Sequence, residues 1–453
     1  MRMSLLFPNI GAMLIAFWIG AASAQSYTPI PLTDHGERGT FFGLYDASNL
    51  VPPDHDAVGR VRAAEVRPLD RDGSPAADGK IVLLSIGMSN TSLEWCGISL
   101  DCVSPVGSSL MGLAAGNGDV NHSTLAIVNG ADAGLGASAW TLPVAFAYDR
   151  VRDLRLAPEG LTEKQVQVVW LKNANPFPMI GLPSADADAY VLDSEMGSTV
   201  RALRVRYPNL KMVFLSSRIY AGYSPATGLN PEPYAYESGF AVKWLIAAQI
   251  AQMRRGGLPV DARAGDLNYN TVAPWIAWGP YLWANGMIAR SDGLIWSPAD
   301  FTWDETHVSP AGIAKVGDML MDFFTASPYT RCWFTAAGCG TPSPSHDVAM
   351  TTMTAPASVK IGASATVSVT VKNTGAFIET FAVMLTDSAS GKSFGQRIVS
   401  SLSAGATQTL NFAWGARLPT EFGPHGLTAT AVAVQGETNT TDNALSVVVN
   451  VTP

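Results

Sequence analysis

Hydrophobic and polar positions divide the chain into two regions with different periodicities. Over residues 80–324, short continuous apolar runs alternate with longer stretches in which apolar residues recur at helical spacing. Continuous apolar runs of this length are typical of strands buried on both faces of a parallel sheet. After Gly340-Thr-Pro-Ser-Pro-Ser345, apolar and polar residues alternate without a helical pattern. The pattern therefore predicts an α/β domain followed by an all-β domain.

Continuous apolar runs predict the strands of the first domain. They occupy residues 81–86, 125–128, 166–171, 212–215 and 275–278. Helical spacing predicts helices over residues 193–207, 236–255 and 310–324, and Ser309 is positioned to cap the last of them. Because strands and helices alternate, right-handed crossovers would build a doubly wound, flavodoxin-like parallel sheet.

The second region predicts an immunoglobulin-like β-sandwich over residues 347–453, joined to the α/β domain by a linker at 336–346. Strands are expected at residues 365–373, 407–414, 427–434 and 444–451. Turn signals such as Asn373-Thr-Gly375 and Gly423-Pro424 separate them. Short alternating strands at this spacing are typical of a sandwich.

Composition and the N-terminus limit the classes of function. The 453 residues include 29 Lys and Arg against 37 Asp and Glu, without a basic cluster, which argues against a nucleic-acid partner. Arg2, an apolar run at 10–20 and Ala22-Ser23-Ala24 predict a signal peptide over residues 1–24. The alternative is an uncleaved membrane anchor. With the signal cleaved, we expect no membrane span and a secreted, periplasmic or cell-surface protein whose residues 25–335 form the α/β domain.

The four cysteines fall into two close pairs in a chain predicted to reach an oxidising compartment. Two local disulfides, Cys96–Cys102 and Cys332–Cys339, are the simplest pairing, and the two other connectivities remain open. Neither spacing matches a zinc knuckle, so no metal site is expected there. Asp54-His55-Asp56, flanked by prolines, is expected to be a solvated loop rather than a metal site.

Candidate chemistry lies where predicted strands end or helices begin. Asp304 and His307 stand three residues apart, directly before a predicted helix, and Ser89 follows the first strand. Nucleophilic catalysis of this kind needs a serine, an imidazole that takes the serine proton, and a carboxylate that orients the imidazole. Ligands bind at the carboxyl ends of the strands in such sheets. The segment Ser216-Ser217-Arg218 follows the fourth strand at the same edge, but no chemistry is assigned to it.

Four short sequence blocks resemble those of the SGNH/GDSL hydrolases and follow one another in the same order. Ser89 matches the nucleophile, Gly134 the block II glycine, Asn173 the block III asparagine, and Asp304-x-x-His307 block V. The resemblance covers residues 80–324 and implies a serine esterase that needs no metal or cofactor. It also implies that the backbone N–H groups of Ser89 and Gly134 and the side-chain amide of Asn173 bind the oxyanion. Asn175 is the alternative to Asn173 as the third donor.

Two departures from the family pattern keep a second interpretation open. Met88 stands where block I has an aspartate, and the block III glycine is missing from Lys172-Asn-Ala-Asn-Pro176. The leading interpretation is an exported esterase that acts on a small-molecule or polysaccharide ester, including acylated carbohydrate. The alternative is a non-catalytic cell-surface or adhesive protein that keeps the hydrolase fold.

The second domain resembles the CARDB-type immunoglobulin-like modules. The residues that carry this resemblance are Val371-Lys-Asn-Thr-Gly375, Leu402-Ser-Ala-Gly-Ala-Thr407 and Glu437-Thr-Asn-Thr-Thr-Asp-Asn443. The resemblance implies a sandwich that contacts a cell surface or a glycan rather than a catalytic unit. His346 and His425 belong to this domain and are therefore set aside as catalytic candidates.

Overall fold

The computed structural model divides the chain into two compact units, Met1–Gly338 and Cys339–Pro453. This division falls inside the linker predicted at 336–346. The described residues are 29–34, 43–45, 48–97, 102, 105–338, 346–375, 377–387, 391–415, 422–434, 437 and 439–453. The predicted signal peptide at 1–24 and residues 339–345 of the predicted linker lie outside these ranges.

Within the described part of the first unit, five parallel strands form a central sheet. They are β1 Ile81–Gly87, β2 Leu125–Asn129, β3 Val166–Lys172, β4 Met212–Leu215 and β5 Trp275–Trp278. Their order is β2-β1-β3-β4-β5, so the direction in which strands are added reverses beside β1. This order confirms the predicted parallel α/β architecture. The carboxyl ends of β1 and β3 lie at the switch point where such sheets bind ligands.

Helices cover both faces of this sheet. In chain order they are α1 Pro53–Glu65, α2 Ser89–Cys96, α3 Leu110–Gly116, α4 Phe146–Val151, α5 Asp188–Arg206, α6 Tyr234–Arg254, α7 Pro310–Ala326 and α8 Arg331–Phe334. Val82 and Leu84 of β1 belong to the core shared with α5 and α6, whereas Ile81 and Leu83 belong to the core shared with α2, α3 and α7. A strand buried on both faces needs apolar residues at successive positions, which explains the continuous runs in the sequence.

Helix starts differ from the predictions. α5 begins at Asp188 rather than at residue 193, and α6 begins at Tyr234 rather than at residue 236. The larger difference is α1, because it contains the Asp54-His55-Asp56 segment that was expected to be a solvated loop. Pro53 lies in the first turn, where a missing N–H is tolerated, and His55 is buried with Nε2 2.8 Å from the carbonyl oxygen of Ile276. Burial lowers the pKa of His55 to about 4, so its ring is a neutral core group.

The described part of the second unit is a β-sandwich, as predicted. Its strands are β6 Val348–Thr354, β7 Ser358–Lys360, β8 Ala365–Asn373, β9 Glu379–Asp387, β10 Lys392–Leu402, β11 Thr407–Trp414, β12 Gly423–Ala431 and β13 Ala444–Thr452. One sheet has the order β10-β9-β12-β13-β7 and the other β11-β8-β6, and apolar residues from both form a common core. His346 and His425 bond to the carboxylates of Glu379 and Asp387 within this unit.

Gly87 ends β1 at the point where the sheet meets α2. Its φ is +155°, and a Cβ built on it would lie 2.1 Å from the carbonyl oxygen of Lys172 and 2.5 Å from Oγ1 of Thr91. Thr91 donates a hydrogen bond to that same carbonyl at 2.6 Å. A side chain at position 87 would therefore push α2 away from the end of β3.

We predict that Gly87→Ala lowers the free energy of unfolding by roughly 3 kcal/mol, because a backbone oxygen cannot move aside as a flexible side chain can. Urea denaturation of the wild type and the variant measures the difference. Gly116→Ala is the matched control, since Gly116 ends α3 and a Cβ there meets no atom within 4 Å. An equal loss of stability in both variants would contradict the close approach at Gly87.

Candidate active site

Ser89, His307 and Asp304 form a continuous chain of hydrogen bonds. Nε2 of His307 lies 2.9 Å from Oγ of Ser89, although the two residues are 218 positions apart in the chain. Nδ1 of His307 lies 2.5 Å from Oδ2 of Asp304. The fold thus brings together the serine, imidazole and carboxylate that the sequence singled out, in the order that nucleophilic catalysis requires.

The surroundings of Asp304 keep its carboxylate ionised. Burial raises its pKa, but Oδ1 accepts hydrogen bonds from the backbone N–H groups of His307 and Thr306 at 3.0 and 3.1 Å and from Oγ1 of Thr302 at 2.7 Å. Together with the bond from the His307 ring, these donors hold the pKa of Asp304 well below its ordinary value. An ionised Asp304 accepts a hydrogen bond from the N–H at Nδ1 of His307, which leaves Nε2 free to accept the hydroxyl proton of Ser89.

Ser89 is the first residue of α2, and Met88 alone separates it from β1. The next residue, Asn90, is buried and bonds to the segment that carries His307. Its Nδ2 donates to the carbonyl oxygen of Thr306 at 2.9 Å, and its Oδ1 accepts from the N–H of Val308 at 3.2 Å. One amide therefore holds the start of α2 against the segment that contains His307. Sequence reasoning missed this role because the partners of Asn90 are backbone groups.

A fully buried ion pair fixes the same helix to the sheet. Nζ of Lys172, at the end of β3, donates to both carboxylate oxygens of Glu94 in α2, and neither side chain contacts solvent. Burial raises the pKa of Glu94 and lowers that of Lys172, while the charge of each partner opposes the shift of the other. Charges are tolerated in a protein interior when they are paired in this way. No sequence pattern indicated this pair, since its members lie on separate elements.

Gly134 lies in the turn after β2 with a φ of +73°, a conformation that favours glycine. Gly134 and Ser89 line a common cavity of about 60 Å³. The backbone N–H groups of these two residues donate no hydrogen bond to any residue in the described part of the chain. N–H groups of this kind beside a nucleophile can bind an oxygen that gains negative charge.

The two candidate asparagines after β3 occupy different positions. Asn175 lines the cavity beside Ser89, and its Nδ2 donates to the carboxylate of Glu195. Asn173, which the sequence favoured, is buried, with Nδ2 3.4 Å from the carbonyl oxygen of Leu135. Asn175 therefore lies on the wall that a bound substrate would contact, whereas Asn173 contacts the turn after β2.

Cys96 and Cys102 form a disulfide, as predicted, with their Cα atoms 5.7 Å apart. Cys96 is the last residue of α2, so the bond ties the end of α2 to Cys102. The second predicted disulfide, Cys332–Cys339, includes a residue that lies outside the described ranges.

A wider depression of about 790 Å³ in the first unit is lined mainly by glycines and by Asp318 and Asp322, and it contains no member of the triad. Among the described residues, no group of three or more His, Cys, Asp or Glu side chains is arranged to hold a metal ion. Over the same residues, no helix has the length and apolar character needed to cross a membrane.

Comparison with known proteins identifies the second unit. Residues 345–447 match the family model CARDB. The CARDB domain of a Pyrococcus furiosus protein, solved in complex with di-metal ions, is 23% identical with a TM-score of 0.21, and the match covers 24% of this chain and 97% of that one. A domain of a Methanosarcina acetivorans protein is 24% identical with a TM-score of 0.20, covering 24% and 93% of the two chains. No curated protein matches the chain. The C-terminal unit is therefore a CARDB domain, as the sequence predicted.

We predict that Lys172→Met lowers the free energy of unfolding by about 3–5 kcal/mol, because it leaves the Glu94 carboxylate buried without its partner. The double variant Glu94→Leu/Lys172→Met is expected to recover most of this loss, since the unpaired charge is then absent. Urea unfolding of the wild type, both single variants and the double variant measures the coupling. Additive losses in the double variant would show that the ion pair does not hold α2 to the sheet.

Proposed function

We propose that this chain is an exported serine ester hydrolase in which Ser89 is the nucleophile, His307 the base and Asp304 the orienting carboxylate. The observation that supports this proposal is the unbroken chain of hydrogen bonds from Oγ of Ser89 through the His307 ring to Asp304. The order of the SGNH-like blocks along the sequence supports an ester as the bond that is cleaved.

In the proposed reaction, Nε2 of His307 accepts the Ser89 proton while Oγ attacks the carbonyl carbon of the ester. The carbonyl oxygen becomes an oxyanion, which the N–H groups of Ser89 and Gly134 and the side-chain amide of Asn175 bind, rather than that of Asn173. His307 then gives the proton to the leaving alcohol, and the acyl group stays on Ser89. Water then attacks the acyl carbonyl as it gives a proton to His307, and the acid leaves as His307 returns this proton to Oγ of Ser89.

The cavity favours a short acyl group. Its volume of about 60 Å³ is small beside the roughly 300–1,000 Å³ of a typical small-molecule site. Met88 and Leu229 contribute apolar wall beside Ser89, which suits the methyl end of a small acyl chain. We therefore propose a short acyl group, of about four carbons or fewer, carried by a small alcohol or by a polysaccharide.

The CARDB domain supports a location at the cell surface, where such domains are typically found. We propose that the predicted signal peptide exports the chain and that the sandwich contacts the surface or a glycan there. Surface contact would bring the hydrolase unit within reach of acylated polysaccharide. The alternative, a non-catalytic surface or adhesive protein with a hydrolase fold, predicts that no ester is turned over in a Ser89-dependent manner.

We predict that Ser89→Ala and His307→Ala each lower kcat for a short-chain aryl ester by about 10⁴-fold or more, because the nucleophile or its base is lost. Release of the phenol from aryl acetate, butyrate and octanoate measures the rates. Ser198→Ala is the control, since among the described residues this serine's side chain bonds to Ser194 and Arg201 of α5 alone. Wild-type rates in both triad variants, or no turnover by the wild type on any of these esters, would sink the esterase proposal.

A comparison of two asparagine variants tests which residue is the third oxyanion donor. We predict that Asn175→Ala lowers kcat by about 10²–10³-fold with little change in KM, because its amide would contact the oxygen mainly when that oxygen becomes charged. Asn173→Ala is expected to lower kcat by a smaller factor, through its contact with the turn after β2. A larger loss in Asn173→Ala, at equal thermal stability of the two variants, would return the role to Asn173.

A further inference from the structure

Arg218 is a buried cation in the wall of the cavity that contains Ser89. It follows β4, is 2% exposed, and its backbone N–H donates to Oγ of Ser238 at 2.9 Å. Nε and Nη2 of its guanidinium are removed from solvent and form no hydrogen bond with any residue that the structure describes. A charged donor at such a depth ordinarily meets an acceptor, because burial without one is unfavourable.

Two carboxylates attract Arg218 through space, and both are already engaged elsewhere. Glu94 forms the buried ion pair with Lys172. Glu232 accepts hydrogen bonds from three neighbouring N–H groups, those of Ala221, Tyr236 and the Trp283 indole. Neither carboxylate lies within ion-pair distance of the guanidinium. The protein therefore compensates the charge of Arg218 at a distance but leaves its donors without a partner in the described residues.

An acceptor in the same wall also lacks a partner. Nδ2 of Asn230 donates to the backbone carbonyl oxygen of Asn175 at 3.0 Å, which fixes the orientation of the amide. Its Oδ1 is buried and accepts no hydrogen bond from the described residues, and Asn230 lines the cavity with Ser89. Beside the nucleophile, the cavity thus offers charged donors and one neutral acceptor.

We infer that Arg218 binds a carboxylate of the substrate and that Asn230 accepts a hydrogen bond from a hydroxyl or amide group next to it. A guanidinium suits a carboxylate because its parallel N–H groups reach both oxygens. The inference rests on the proposed hydrolase function, and it makes the natural substrate an acidic ester. Its carboxylate lies a few bonds from the scissile carbonyl, on either the acyl part or the alcohol part.

Two matched pairs of esters test this inference by titration of the released acid. Monomethyl succinate is compared with methyl pentanoate for the acyl part, and O-acetyl-lactate with isopropyl acetate for the alcohol part. In one pair we expect kcat/KM to favour the carboxylated ester by roughly 10- to 100-fold, as for a hydrogen bond to a charged group. Arg218→Gln is expected to abolish this preference. Arg201→Gln, which removes a guanidinium bonded to Ala264, is the matched control and is expected to keep it.

Preference for the neutral ester in both pairs, or an unchanged preference in Arg218→Gln, would overturn the inference while Ser89-dependent hydrolysis still upheld the proposed function. If the wild type hydrolyses none of the four esters, binding alone decides the inference, and the proposed function fails as well only if the aryl esters are not hydrolysed either. Succinate or lactate is then expected to raise the Tm of the wild type and not that of Arg218→Gln, and no shift with either would overturn the inference. If Arg218→Gln does not fold, Arg218→Lys, which keeps the charge without the paired donors, is expected to weaken the preference.

Discussion

The buried ion pair between Glu94 and Lys172 is the interaction on which the geometry around Ser89 depends. Removing two charges from water costs several kcal/mol per ion, so these side chains remain buried only because they meet each other. Their meeting holds α2 against the end of β3. The carbonyl oxygen of Lys172 then accepts a hydrogen bond from the hydroxyl of Thr91. Where α2 and β3 meet, there is no room for a side chain at Gly87. This contact therefore fixes the position of the start of α2 and of Ser89.

Much of the fold could be predicted because a strand buried on both faces leaves a continuous apolar run. β4 has the bounds predicted for it, and all four of its residues are buried. α1 was missed because Pro52 and Pro53 indicate a loop as readily as a helix start. β10 was missed for a different reason. Val399 and Leu402 are its only buried residues, so its sequence lacks the alternation by which β8 and β11 were found.

The candidate site could be predicted where it depends on residue order and not where it depends on contacts. Ser89 and His307 stand at the end of a strand and before a helix, positions that a pattern can locate. Arg218 also follows a strand, but its proposed role depends on its position in a cavity wall that several elements form together. The choice between Asn173 and Asn175 depends on how the chain turns after β3, which the spacing of the residues does not determine.

The charges around Ser89 suit a reaction that separates charge. In the proposed first step, His307 becomes a cation and the carbonyl oxygen of the substrate becomes an anion. Asp304, held ionised by its hydrogen bonds, contacts the ring on which the cation forms. Ser89, Gly134 and Asn175 line the cavity in which the anion would form. Because the fold holds these groups in position before a substrate arrives, little reorganisation is needed as the charges develop, and preorganised groups of this kind are what lower the barrier in a buried polar site.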